Sequence, residues 1–277
     1  MRQMSRTTRI RVISGLVAIV GILAIIFFSG YIGIAIATFF VSALALFEYG
    51  RMTLDGDRYK IARYYFLLLG LVAFVTSIVR NDWLLHSFVL STLLLFILFL
   101  LMAKDESVPL EELVNKAGLS LLGILYAGVC PVYICLTARL SSHLEWFIFA
   151  LCVVFSGDVV AYFVGRSFGK TRLFTRISPN KSVEGAIGSL FASVLVGLAL
   201  RHFLLPDTDL FLITALSILT SCVAQLGDLC ESFVKRSFHT KDSGSIMPGH
   251  GGILDRVDGI LFGAPIVYIF AKYVILN

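Results

Sequence analysis

Between residues 232 and 258 (SFVKRSFHTKDSGSIMPGHGGILDRVD), a largely apolar chain places Lys235, Arg236, His239, Lys241, Asp242, His250, Asp255, Arg256 and Asp258 within one short span. Gly244, Pro248, Gly249, Gly251 and Gly252 lie between them and open the backbone. Basic side chains with exposed amides suit phosphate. Carboxylates three residues apart suit a hard cation such as Mg²⁺. Together they describe a site for a metal-bound phosphate compound. Polar groups beside a bilayer are costly, so such a cluster is read as functional.

The pieces also have plainer readings. Asp228, Glu231, Ser232 and Lys235 fall at i, i+3, i+4 and i+7 and share one helix face. Either they form an ion pair at a helix end, or they place a carboxylate at a metal. Asp255 and Asp258 begin the last helix on one face, where the helix dipole alone favours negative charge. The functional reading makes them paired metal ligands facing Asp228. The stretch 248–252 (PGHGG) runs into that helix start, and such a start offers free amides to an anion. His250, flanked by glycines, reads as a ligand contact rather than a packed histidine.

A second polar block spans 156–188 (SGDVVAYFVGRSFGKTRLFTRISPNKSVEGAIG). Asp158 lies within an apolar run, where an acid needs a partner. Tyr162 follows one turn on, and Arg166, Lys170, Arg172, Arg176 and Lys181 come after it. Gly165, Gly169, Pro179 and Gly185 make this a shaped loop, suited to a triphosphate or a lipid headgroup.

These loops need elements to carry them, and the composition says which. Of 277 residues, 58% are hydrophobic, and the mean hydropathy is +0.90. Long apolar runs exclude a soluble domain and predict an all-α, polytopic membrane protein, because lipid offers no partner to free backbone groups. Nine spans are expected, at 12–29, 31–49, 62–79, 83–103, 118–137, 144–165, 185–204, 209–230 and 257–275. The first is read as a membrane helix and not as a cleaved signal peptide. Residues 1–140 form an N-terminal region of about five helices, and 141–277 a catalytic region of about four with both polar loops. The segment 108–116 (VPLEELVNK) reads as a short interfacial piece. The five cysteines show no CxxC pair, so neither a disulfide framework nor a zinc site is expected.

Charge gives the orientation. With the N-terminus cytoplasmic, 19 of the 23 basic residues fall on inside segments, and only Arg80, Arg139, Arg201 and Lys272 fall outside. Both polar loops then face the cytoplasm, where nucleoside triphosphates are available. A polar cavity is expected at the cytoplasmic ends of the last four helices, open sideways to lipid.

The pattern Ser232-x-Val-Lys-Arg-x4-Lys241-Asp242, then Pro248-x-His-Gly-Gly and Asp255-Arg-x-Asp258, resembles the signature of the phosphatidate cytidylyltransferases, or CDP-diacylglycerol synthases. SGDVVAYFVGRSFGK and SPNKSVEG resemble the second conserved region of that family. The close resemblance covers roughly the C-terminal 120 residues; the N-terminal half is similar mainly in hydropathy. Asn180-Lys181-Ser182 stands where the family usually has two lysines and a threonine, so Lys181 is the phosphate contact retained. Met247 and Gly259 also depart from the usual residues, and none of these changes removes a carboxylate assigned to metal.

The resemblance implies that phosphatidate and CTP give CDP-diacylglycerol and pyrophosphate, with Mg²⁺ required. It assigns Asp228, Asp255 and Asp258 to metal, and Lys235, Arg236 and Lys241 to the triphosphate and leaving pyrophosphate. Asp242 is given a second cation, monovalent or divalent, or the orienting of Lys241. His250, Gly251 and Gly252 contact nucleotide or phosphate, as do Arg166, Lys170, Lys181 and Ser232. Arg256 pairs with phosphate or a carboxylate. The implied setting is a bacterial cytoplasmic (inner) membrane, with CTP, phosphatidate and bilayer lipid as partners. A homodimer is compatible with the resemblance, and no nucleic acid is expected. Two other readings use the same loops. A CTP-dependent lipid kinase of the polyprenol or phytol type would transfer the γ-phosphoryl group, and an anion transporter would use Asp158 and the basic loops as a path.

Overall fold

A computed structural model describes residues 6–246 and 251–276; the side chains of 6–20, 22–23 and 25–27 fall outside the description. It is all-α apart from one small hairpin, and eight helical spans among the described residues are long and apolar enough to cross a membrane. The chain is therefore an integral membrane protein.

Helix α1 (Arg6–Thr53) is broken at Gly30, whose φ of 52° and ψ of −137° suit only glycine. The expected boundary between the first two spans falls at this break. Phe28–Thr53 qualifies as a span, whereas the expected span 12–29 rests largely on side chains outside the described residues. Next come α2 (Lys60–Val79) and α3 (Leu84–Met102). The fourth span, Leu110–Ala138, comprises α4 (Leu110–Gly123), a π-helical segment (Ile124–Val129) and α5 (Cys130–Ala138). From Leu110 on, the piece 108–116, expected to be a separate short segment, is continuous with this span as its first two turns. Glu111 and Glu112 are acceptable there because a helix N-terminus favours negative charge.

After α6 (Glu145–Phe168), the chain makes an antiparallel hairpin, β1 (Arg172–Phe174) and β2 (Ser178–Ser182), with Arg172 opposite Ser182. The remaining helices are α7 (Val183–Leu204), α8 (Leu210–Ser237) and α9 (Leu254–Phe270), which contains Pro265.

The chain divides into two compact units. One holds the residues up to Cys135 together with Asp242–Arg256; the other holds Leu136–Lys241 and the chain from Val257. Both pack by the rule for helices in lipid, where small residues permit close approach. In the first unit, Gly128 lies against the Gly70 backbone, and a Cβ on Gly128 would come 3.2 Å from the Gly70 carbonyl oxygen. Ser42 Oγ donates to the Ala127 carbonyl at 2.6 Å, and Tyr49 OH to that of Leu119 at 3.0 Å. In the second unit, Gly157 leaves room for Ser189 and Ser193, and Ser193 Oγ donates to the Val153 carbonyl at 2.9 Å. Gly227 of α8 meets α9, where a Cβ would come 2.7 Å from the Asp258 carbonyl oxygen.

Candidate active site

In the second unit, α8 emerges with a polar face. Asp228, Glu231 and Ser232 stand on it in successive turns, and α9 brings Asp258 to them. One oxygen of each of Asp228, Glu231 and Asp258 lies within 4.8 Å of the others. Hairpin β2 contributes Lys181, whose Nζ is 2.6 Å from Asp228 Oδ2. Lys235 Nζ donates to Glu231 Oε2 at 2.7 Å, and both residues are buried. Ser232 Oγ approaches Asp228 Oδ1 at 3.5 Å. From α6, Asp158 turns its Oδ2 toward Gly259, 3.7 Å from where a Cβ would sit, and acts electrostatically on Asp258.

This donor set fits a divalent cation. All its candidate ligand atoms are carboxylate oxygens, the type a hard cation takes. Asp228 is paired with Lys181 and Glu231 with Lys235, and Asp158 adds a further carboxylate close enough to act on Asp258. Like charges gathered this closely are otherwise costly.

The ion-pair reading of Glu231 and Lys235 is therefore correct, and Glu231 also joins the carboxylate cluster, which sequence reasoning left out. Its signal was present, since it shares a helix face with Asp228.

Asp255 belongs to the first unit, where its Oδ2 accepts from the backbone N–H groups of Ser243 at 3.0 Å and Gly252 at 2.8 Å. Beside it lies Glu48 of α1, which is 2% exposed. Glu48 Oε1 accepts from Ile253 N at 3.1 Å; its Oε2 accepts from Leu254 N at 3.0 Å and from Ser243 Oγ at 3.2 Å. The amides of residues 252–254, expected to cradle phosphate, are thus already given to carboxylates of the same chain. Sequence reasoning missed Glu48. An acid inside an apolar run was its signal. Arg51, three residues on, lies over the Phe47 ring, 5.8 Å from its centroid.

The hairpin is fastened in place. Ser182 caps α7 by accepting from Gly185 N at 3.1 Å, and Glu184 accepts from the amides of Lys170 and Thr171. Arg236, expected on phosphate, donates through Nε to the Ile177 carbonyl at 3.2 Å and through a guanidinium nitrogen to the Thr240 carbonyl at 3.0 Å. It ties α8 to the hairpin that carries Lys181. Arg166 donates to Tyr162 OH at 3.0 Å. Lys170, Lys241, Asp242 and Arg256 are exposed, while Gly251, with φ +84°, turns the chain beside Asp255. His250 lies outside the described residues.

The cytidylyltransferase family matches residues 9–274, nearly the whole chain. The chain belongs to that family. Among its relatives are proteins named phosphatidate cytidylyltransferase from Staphylococcus saprophyticus, 44% identical over 153 residues, Staphylococcus haemolyticus, 41%, and Staphylococcus aureus, 40%. Each alignment covers 55% of this chain and 58% of the relative, so this family member spans little more than half the length of the proteins it matches.

Proposed function

We propose that the chain transfers the cytidylyl group of CTP to phosphatidate, giving CDP-diacylglycerol and pyrophosphate. The observation that carries this reading is the meeting of Asp228, Glu231 and Asp258 with Lys181 and Lys235, in a membrane protein of the cytidylyltransferase family. The names of the staphylococcal relatives add support.

The step needs little covalent help from the protein. A phosphate oxygen of phosphatidate forms a bond to the α-phosphorus of CTP. The bond from that phosphorus to the α,β-bridging oxygen breaks, and pyrophosphate leaves with the electron pair. Phosphatidate is already an anion at neutral pH, so no general base is required. Positioning and charge stabilisation do most of the work. Lys181 and Lys235 hold ammonium charge beside the phosphates, and the carboxylate partner of each fixes where that charge stands. Ser232 orients Asp228. Exposed Arg166, Lys170 and Lys241 supply further positive charge to the triphosphate. Asp228, Glu231 and Asp258 would hold Mg²⁺, which when bound neutralises phosphate charge as it builds on the leaving group.

The site is read as facing the cytoplasm of a bacterial inner membrane. The lopsided distribution of Lys and Arg supports this, as does a soluble co-substrate that must meet a lipid at the interface. The test is purified protein in phosphatidate–detergent micelles with Mg²⁺ and CTP labelled at the α or the γ position. Label from the α position in the lipid, with pyrophosphate released, is expected. Label from the γ position in the lipid would make the protein a kinase instead.

A further inference from the structure

Glu48 belongs to α1, nearly 200 residues in sequence from the polar segment it touches. A buried carboxylate in a membrane helix is costly unless several donors meet it. Here three do: Ser243 Oγ on one side, and the amides of Ile253 and Leu254 on the other. Those two amides sit at the start of α9, where backbone N–H groups lack partners within the helix. Asp255 binds the same two arms a second time, through Ser243 N and Gly252 N.

The glycines around Glu48 are shaped to it. A Cβ on Gly244 would lie 2.7 Å from Glu48 Cδ, and one on Gly252 would lie 2.8 Å from the same atom. The backbone is open at these two positions because a carboxylate already fills the space.

We infer that Glu48 is a positioning residue: from α1 it fixes the start of α9, the helix that carries Asp258 one turn further along. The inference rests on the cytidylyl-transfer reading for its effect on rate, but not for its effect on the backbone. Glutamine at this position keeps the shape and turns one acceptor oxygen into a donor. In either orientation of its amide group, Ile253 N or Leu254 N loses its acceptor.

The test measures two things on the full chain in detergent: hydrogen exchange of the peptide covering 251–256, and steady-state kinetics. Glu48→Gln is expected to raise exchange in that peptide with the other helices unchanged. It should lower kcat by about 10- to 100-fold, the worth of one charge-assisted hydrogen bond. KM for CTP should change little, because CTP does not touch Glu48. Ser243→Ala, which removes one donor and no charge, should move both readouts the same way but less. Unchanged exchange in both variants would overturn the inference, as would full activity in Glu48→Gln. An activity loss matched by an equal loss of folded protein would also overturn it, since Glu48 would then only hold the fold. If the wild type itself forms no CDP-diacylglycerol, the cytidylyl-transfer reading fails, and the exchange result alone decides whether Glu48 anchors α9.

Discussion

Two groups of carboxylates in this chain look alike in sequence and differ in what they face. Asp228, Glu231 and Asp258 face one another and two lysine ammonium groups. Glu48 and Asp255 face backbone amides and a serine hydroxyl. The first group gathers carboxylate oxygens within 4.8 Å of one another, the arrangement a cation site needs. The second accepts from backbone amides and a hydroxyl, the arrangement of a fastening. Asp255 and Asp258 are three residues apart on α9, yet they fall into different groups. The first turn of a helix carries free amides, and a carboxylate there is drawn to them; one turn later Asp258 accepts from one neighbouring amide, that of Gly259 at 2.9 Å, and its other oxygen is left for the cluster.

The sharpest way to break this comparison is to neutralise a member of each group. Asp258→Asn should cut cytidylyl transfer on the order of 10³-fold, because the substitution removes a negative charge at the cation and leaves one weaker, neutral oxygen donor. Asp255→Asn should cost less, because asparagine still offers one acceptor to the amides of Ser243 and Gly252. Equal losses in the two variants, measured by α-labelled lipid formed per minute, would erase the distinction. Lys181→Ala comes next. Losing a cation that meets developing phosphate charge is expected to lower kcat about 10²-fold. A gain of activity would show that its pair with Asp228 is inhibitory.

Smaller effects test the fastening. In Gly252→Ala the added methyl meets Glu48 and Ser243, so the protein should lose about 1–3 kcal/mol of stability, read from denaturation in detergent. Arg236→Ala should cost about 1 kcal/mol by freeing the Ile177 and Thr240 carbonyls, with a smaller loss of activity than Lys181→Ala. An activity loss as large as that of Lys181→Ala would return Arg236 to the phosphates.

The membrane helices were legible because hydropathy and length decide them. Their ends moved most where charged residues close a helix: the fourth span begins at Leu110 with Glu111 and Glu112 in its first turn, and α8 runs on to Ser237 with Lys235 and Arg236 in its last. The face of Asp228, Glu231 and Ser232 was legible because helical period alone sets it. Lys181 was legible as a basic loop residue, but its partner was not, because the hairpin that aims it pairs Arg172 with Ser182 through backbone bonds. Glu48 and the amide contacts of Asp255 were hidden for a similar reason. Most of what they bind is backbone, and an amide carries no mark in the sequence. The glycines of 244–252 were read as openings for a ligand; Gly244 and Gly252 are openings for a side chain of the protein itself.

The most direct measurement is Mn²⁺ binding, followed by its electron paramagnetic resonance, to the purified wild type, Asp258→Asn and Asp255→Asn. The wild type and Asp255→Asn should take up the ion with similar affinity, and Asp258→Asn should lose it. Loss in Asp255→Asn with retention in Asp258→Asn would contradict the account and move the cation to the start of α9.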